Sequence, residues 1–87
     1  MKNVRIYDNG GRTFDQFTVV YMNSPAHWQH DGIFQCLGMS EHPTHPQGFG
    51  QHGTATPGRH LGKMIKFEQL PVDCQNLVLY DLDKVTT

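Results

Sequence analysis

The feature that most constrains the fold is the alternation of side chains over residues 16–22, QFTVVYM. Every second residue from Phe17 to Tyr21 lies on one face of an extended chain, and the β-branched and aromatic content favours a strand. Residues 4–7 alternate in the same way and end at the sequence DNGG over residues 8–11. Adjacent glycines permit a tight turn with positive φ, so the two segments are predicted to form an antiparallel hairpin.

Two further strands and one helix are predicted from the remainder of the chain. Residues 33–37 form a short apolar run that Gly38 ends, and residues 63–67 carry lysines, which are typical of a sheet edge. Residues 71–82 begin with a proline and have an apolar stripe, which predicts a helix. A strand is the alternative over residues 77–80, which are apolar on all sides. The predicted fold class is α+β: a small antiparallel sheet of about four strands with one C-terminal helix.

Length, the distribution of apolar residues and net charge exclude several classes of protein. A chain of 87 residues suffices for one core, so residues 1–87 are predicted to form a single domain, which homo-oligomerisation commonly stabilises at this size. No window approaches the roughly twenty apolar residues of a membrane span. The net charge of −1 provides no field to attract nucleic acid. We therefore expect neither nucleic acid nor a membrane as a partner.

The two cysteines, Cys36 and Cys74, are far apart and have no metal or redox spacing. The first residues, MKNVR, lack the apolar segment of a secretion signal. Both observations predict reduced, buried thiols in a cytoplasmic protein, because buried cysteine behaves as a small hydrophobic residue.

A Gly/His/Gln-rich segment at about residues 39–60 is the predicted functional region. Between residues 40 and 58 neither a strand period nor a helix period survives, and glycine, proline, histidine, threonine and glutamine dominate. A long stretch without regular structure inside so small a domain is commonly functional. We therefore predict a long loop here that contains the site.

Six histidines are the main anomaly of the composition: His27, His30, His42, His45, His52 and His60. Trp28 lies between the first two, in a polar connector, and is predicted to belong to the core or to an interface. His42, His45 and His52 could supply three imidazoles to zinc. However, prolines hold the chain around His45 extended, and no HExxH or CxxC motif is present. We accordingly predict no metal site and no cofactor.

Two stretches have the residue types of a site for an anionic ligand. The turn at residues 8–13 can present glycine N–H groups as an anion nest beside an arginine, although a plain hairpin turn is the alternative. Residues 48–53, GFGQHG, combine small residues, donors and one aromatic ring, which suits a planar heterocycle. The predicted ligand-binding residues are Asn9, Gly11, Arg12, Ser40, His45, Gln47, Phe49, Gln51, His52 and Arg59.

A hydrolytic site is the competing interpretation of the same region. Ser40, Glu41 and a loop histidine have the residue types of a catalytic triad, but no nucleophile elbow surrounds the serine. A histidine pair could also act as general acid and base on a phosphodiester. We assign no catalytic residue and consider a binding protein the better hypothesis.

Six short stretches form one pattern that covers most of the chain: residues 6–13 (IYDNGGRT), 18–20 (TVV), 37–40 (LGMS), 46–51 (PQGFGQ), 61–63 (LGK) and 70–71 (LP). In this pattern the sequence resembles a group of small proteins encoded by phages, prophages and mobile elements. The resemblance implies a phage accessory protein that acts against host defence in the host cytoplasm. Such proteins occupy a defence protein or sequester a nucleotide-derived immune signal.

The resulting hypothesis is a homo-oligomeric protein that binds and sequesters a small anionic, nucleotide-like ligand without turnover. In it, Asn9 and Gly11 offer turn donors, Arg12 and Arg59 neutralise phosphate, and Phe49 provides an apolar contact. The alternatives are a protein-binding inhibitor of a host defence enzyme and a histidine-dependent phosphodiesterase or metalloenzyme.

Overall fold

The computed structural model describes residues 3–25 and 32–85. The predicted connector with His27, Trp28 and His30 lies outside these residues. The elements in chain order are β1 (Val4–Asp8), β2 (Phe17–Pro25), β3 (Phe34–Met39), β4 (Gly50–Ala55), β5 (Lys63–Ile65) and α1 (Val72–Val85), with short 3-10 turns at Arg59–Leu61 and Phe67–Gln69.

The five strands form one antiparallel sheet in the order β4-β3-β2-β1-β5. The predicted hairpin is β1 and β2, with Ile6 opposite Val19. Its turn has positive φ at Gly10 and Gly11, as the DNGG sequence predicts. The α+β fold class is confirmed, and β5 lies at a sheet edge as its lysines indicate.

Strand β4 is the element that the sequence did not predict. Gly50–Ala55 lies inside the segment expected to have no regular structure, yet it pairs with β3 over six residues. Two of its residues are glycines and the side chains from Gly50 to Thr54 are exposed, so no hydrophobic alternation marks it. Its pairing rests on backbone hydrogen bonds, which leave no signature in the side-chain pattern. The loop is therefore shorter than expected.

Helix α1 covers one face of the sheet, which is called the helix face below. Cys74 and Val78 are fully buried there against Val19 and Tyr21 of β2. The residues between 77 and 80 are helical, so the strand alternative is wrong. Among the described residues, no helix is long and apolar enough to cross a membrane.

The other side of the sheet, called the open face below, has a second apolar cluster. Tyr7, Val20 and Cys36 are buried there, and Leu61 packs against them. Because β4 and β5 lie at opposite edges of the sheet, the connection over residues 56–62 has to cross it. The position of Leu61 shows that this crossover segment passes over the open face.

Candidate ligand-binding groove

Two adjoining cavities on the open face form the candidate site, which we call the groove. One has a volume of about 260 Å³ and runs along β4, and the other has a volume of about 360 Å³ and lies beside the turn at residues 9–13. Both are lined by Asp15, Thr18 and Leu61, which makes them continuous. The groove is thus bounded by β4, the turn and the crossover segment.

The floor of the groove is concave because it includes two glycines. Gly38 and Gly53 lie on the same face of the sheet as Cys36, and Gly53 is opposite that cysteine in the β3–β4 pair. A Cβ atom on Gly53 would meet only the Cys36 Sγ, at 3.9 Å. A Cβ atom on Gly38 would lie 3.4 Å from the Asp15 carboxylate. Side chains at these positions would fill space that a ligand can use.

One end of the groove has an aromatic ring. Phe49 lines the groove and contacts Phe14 edge to face, with ring centroids 6.1 Å apart and an interplanar angle of 64°. The Phe49 N–H donates to the Ser40 Oγ at 2.8 Å, and the Ser40 N–H donates to the Phe49 carbonyl at 2.8 Å. Ser40 is buried, so these two bonds fix the position of Phe49. Ser40 therefore acts on the groove by positioning the aromatic ring.

The other end of the groove is polar and carries both signs of charge. Arg12 and His60 line it together with Asn9 and Thr13. Between this end and Phe49 lies the half-buried carboxylate of Asp15, which accepts a hydrogen bond from the Thr13 hydroxyl at 2.5 Å. A ligand in the groove would therefore meet an aromatic face, a carboxylate acceptor and a cation in sequence.

The turn does not form the predicted anion nest. The Asn9 Oδ1 accepts the N–H groups of Gly11 at 2.9 Å and Arg12 at 3.0 Å, and the Asp8 Oδ1 accepts the N–H of Gly10 at 2.8 Å. These donors are satisfied within the turn, because Asn and Asp side chains readily bond backbone N–H groups two or three residues on. The N–H groups predicted to meet a ligand are thus engaged within the turn, whereas the side chain of Arg12 lines the groove.

Three predicted ligand-binding residues lie elsewhere. Ser40, His45 and Gln47 line a separate cavity of about 230 Å³ formed by the loop that precedes β4. The Gln47 N–H donates to the His45 Nδ1 at 3.2 Å, which is a contact within the loop. Arg59 lines none of these three cavities. Of the predicted site residues, five line the groove: Asn9, Arg12, Phe49, Gln51 and His52.

The zinc hypothesis fails because its three histidines have separate partners. His42 Nδ1 lies 3.4 Å from the Asp73 carboxylate, His45 accepts within its loop, and His52 contacts the helix. Among the described residues no three histidine, cysteine or acidic side chains are grouped as a metal site requires. No histidine in the described ranges hydrogen-bonds the Ser40 hydroxyl, which accepts instead from the Phe49 N–H.

His52 takes part in a polar network that the sequence did not reveal. Its Nε2 lies 2.5 Å from Asp81 Oδ1, and the Tyr21 hydroxyl donates to Asp81 Oδ2 at 2.5 Å. Asp81 is only 4% exposed, whereas the His52 side chain is 61% exposed. Burial, followed by the hydrogen bond to Asp81, raises the pKa of Tyr21 well above its usual value. The network joins β2, β4 and α1, and it holds the His52 ring on the helix face, although His52 also lines the groove cavity along β4.

Both cysteines are free and buried, as predicted. Burial raises the pKa of the Cys74 thiol to about 12, and its S–H donates to the Ser40 carbonyl at 3.2 Å. Burial also raises the pKa of Cys36, at the floor of the groove. Both thiols are therefore held in the protonated form, which is the less reactive one.

The sequence missed several lining residues, which become visible only when the strands are paired. Thr18 could have been placed by the two-residue period of β2, since it faces away from Phe17 and Val19. Asp15 and His60 had no such signal, because each lies in an irregular segment. Residues that line the groove but were not predicted are Thr13, Asp15, Thr18, Cys36, Gly38, Gly53, Thr54, Ala55, His60 and Leu61.

No protein-family model matches the chain, and neither a curated protein nor a solved structure matches it. Its function therefore has to be inferred from the geometry of its own residues.

Proposed function

We propose that this protein binds a small anionic ligand with a planar ring, of the nucleotide-derived class, in the groove on the open face, and sequesters it without turnover. The observation that carries the proposal is the continuity of the groove from Phe49, past Asp15, to Arg12. Arg12 and Asp15 come from the connection between β1 and β2, and Phe49 comes from the residue before β4, yet all three line one space.

The order of the groups along the groove suits the parts of a nucleotide. A base can pack against the ring of Phe49 above the glycine floor, since aromatic faces favour stacked or edge contacts. Hydroxyl or amino groups next to the ring can donate to the Asp15 carboxylate. A phosphate at the far end can accept from the Arg12 guanidinium, and such charge-assisted bonds are stronger than neutral ones.

Sequestration is proposed over hydrolysis because a histidine acid–base pair needs two imidazoles at the ligand. Among the described residues, the rings of His45 and His52 have contacts that leave His60 in the groove without a second imidazole beside it. His52 is bonded to Asp81 on the helix face, and His45 accepts a hydrogen bond within its own loop. The resemblance of the sequence to phage and prophage proteins is consistent with a protein that removes a signalling nucleotide. A protein that inhibits a host enzyme by direct contact remains the competing proposal.

The proposal is tested by native mass spectrometry after incubation with cyclic dinucleotides and ADP-ribose derivatives. The expected result is one ligand retained at fixed stoichiometry with its mass unchanged. Ligand recovered as a cleaved product would instead indicate an enzyme. No retained ligand across the panel would favour a protein partner.

Three variants connect such binding to the groove. Arg12→Ala is expected to weaken binding at least about tenfold, since a hydrogen bond to a charged group contributes about 1.5–3 kcal/mol. Gly53→Val fills the floor at a position with open space, so it should abolish binding while the strand stays folded. Arg5→Ala is the matched control, because it removes the same charge from a residue that lines a different cavity. Equal effects of Arg12→Ala and Arg5→Ala would show that only net charge matters.

A further inference from the structure

We propose that two copies of this chain pair through their β4 strands, in antiparallel orientation, to form one continuous sheet with five strands from each copy. Strand β4 is the outermost strand on its side of the sheet. This inference does not depend on the proposed ligand, and either can fail without the other.

The two edges of the sheet differ in the features that block pairing. Strand β4 has six residues without lysine, proline or a carboxylate, and Gly50 to Thr54 are exposed. Strand β5 has three residues, begins with Lys63 and is followed by Lys66. Charged residues and short length protect an edge against association, so β5 is protected and β4 is not. Because β4 has no lysine or carboxylate, pairing with itself places no such like charges opposite each other.

In β4, the backbone N–H and C=O groups that point away from β3 belong to every second residue. The Ser40 N–H donates to the Phe49 carbonyl, so Phe49 has its polar backbone groups directed at β3. In an antiparallel ladder these groups alternate in direction from one residue to the next. Gly50, His52 and Thr54 therefore direct their N–H and C=O groups away from β3, towards the free edge.

This alternation selects a register for the pair of copies. A two-fold axis through His52 places His52 opposite His52 of the second copy and Gly50 opposite Thr54 of the second copy. Gly50, His52 and Thr54 then each donate an N–H and accept at a C=O across the interface. If the two-fold axis passes through Gln51 or Gly53 instead, fewer outward residues of β4 lie opposite outward residues of the second β4. The centred register is thus the one that satisfies the edge most fully.

Helix α1 adds an apolar side chain near the same edge. Leu77 lies against β4, because its Cδ2 would be 3.0 Å from a Cβ atom on Gly50. Tyr80 follows three residues later on the same side of the helix and is 62% exposed. Pairing through β4 brings the two helices towards each other on the helix face, so it can bury part of Tyr80 as well as the strand edge.

The pairing also changes the groove. An axis perpendicular to the sheet keeps the open faces of both copies on one side, so the two grooves lie next to each other. In the centred register Gln51 of the second copy lies opposite Gly53, at the floor of the groove. Each copy would then contribute a glutamine amide to the edge of the other copy's groove.

Sedimentation equilibrium over a concentration series tests the pairing directly. The unmodified protein is expected to be a dimer, and Thr54→Pro a monomer, because proline removes an outward N–H without removing a bond to β3. Thr54→Ala is the matched control and should remain a dimer, since it keeps the N–H. A monomeric unmodified protein, or a dimeric, folded Thr54→Pro variant, would overturn the proposal.

Amide hydrogen exchange of the unmodified protein gives a test that needs no variant. At concentrations where the dimer forms, the N–H groups of Gly50, His52 and Thr54 should exchange at least about tenfold more slowly than in the dilute monomer. The N–H groups of β5 should exchange equally at both concentrations. Protection confined to β5, or absent from β4, would place the contact elsewhere and contradict the pairing.

Discussion

Asp81 makes a polar contact that joins helix α1 to strands β2 and β4. Its carboxylate is buried and accepts hydrogen bonds from the Tyr21 hydroxyl and the His52 ring, which come from two different strands. Leaving a buried polar group without its partner costs about 1–3 kcal/mol. The network therefore has consequences for stability that single substitutions can measure.

Asp81→Ala is expected to lower the free energy of unfolding by about 1–3 kcal/mol, because the Tyr21 hydroxyl stays buried without an acceptor. Tyr21→Phe introduced into that variant should recover part of the loss, since it removes the unsatisfied group. Urea denaturation of the single and double variants measures both effects. His52→Ala should cost less than Asp81→Ala because the ring is largely exposed. An additive double variant would show that the tyrosine and the carboxylate are not coupled.

The sequence predicted where some of these residues lie but not which side chains they contact. The alternation from Phe17 to Tyr21 correctly predicted a strand and placed these side chains on one face, which the helix covers. It could not reveal that Tyr21 meets Asp81, sixty positions further on. Glycine and amide content likewise indicated Phe49 and Gln51, whereas Asp15 enters the groove only through the path of an irregular turn.

At the scale of elements, the crossover segment is held in place where it joins β5. Gly62 has φ of 114°, a conformation that favours glycine, and a Cβ atom there would collide with the backbone of Asp8. The connection can therefore approach β1 closely enough for Leu61 to cover the apolar cluster of the open face. One wall of the groove depends on this approach.

Gly62→Ala is expected to destabilise the fold by about 1–3 kcal/mol, because the new side chain meets both backbone strain and a steric clash. Gly53→Ala, in open space on β4, is the control and should change the free energy of unfolding by much less. Chemical denaturation compares the two variants. Equal stabilities would mean that the crossover can shift to accept the side chain, and that it does not fix the groove wall.

Elements with a side-chain pattern were predictable, and those without one were not. The helix and the four patterned strands lie on the predicted segments, because the apolar pattern records which residues are buried. Two predicted ends are wrong: β3 continues through Gly38 to Met39, and β5 ends at Ile65 because a 3-10 turn begins at Phe67. Strand β4 has no apolar alternation, since its residues from Gly50 to Thr54 are exposed and the contact of His52 with Asp81 leaves no hydrophobic pattern. The site was consequently assigned to a loop, although a strand forms part of the groove.

At the scale of the whole molecule, the buried ionisable groups predict a dependence of stability on alkaline pH. Burial raises the pKa of Cys74 from 9.0 to about 12 and also raises the pKa values of Cys36 and Tyr21. In the unfolded chain these groups lose their protons first, so the unfolded state binds fewer protons than the native state. Stability is therefore complete below about pH 9 and falls as the pH rises towards 12.

The urea midpoint is expected to fall steadily between about pH 9 and pH 12, and to fall less in Cys74→Ala than in the unmodified protein. The slope is the relevant readout, because the substitution itself lowers stability at every pH by creating a cavity. Parallel slopes for the two proteins would mean that the Cys74 thiol titrates alike in the folded and unfolded states.

The most direct test of the central claim is a residue-resolved NMR titration of the unmodified protein with the nucleotide that native mass spectrometry shows to be retained. If the groove is the binding site, chemical shift changes will concentrate at Arg12, Asp15, Phe49, Gln51 and Gly53, and Gly53→Val will abolish them. Changes centred on the loop residues His45 and Gln47 would instead identify the smaller cavity as the site. Changes that persist in Gly53→Val, or that avoid the open face, would contradict the claim that this groove binds the ligand.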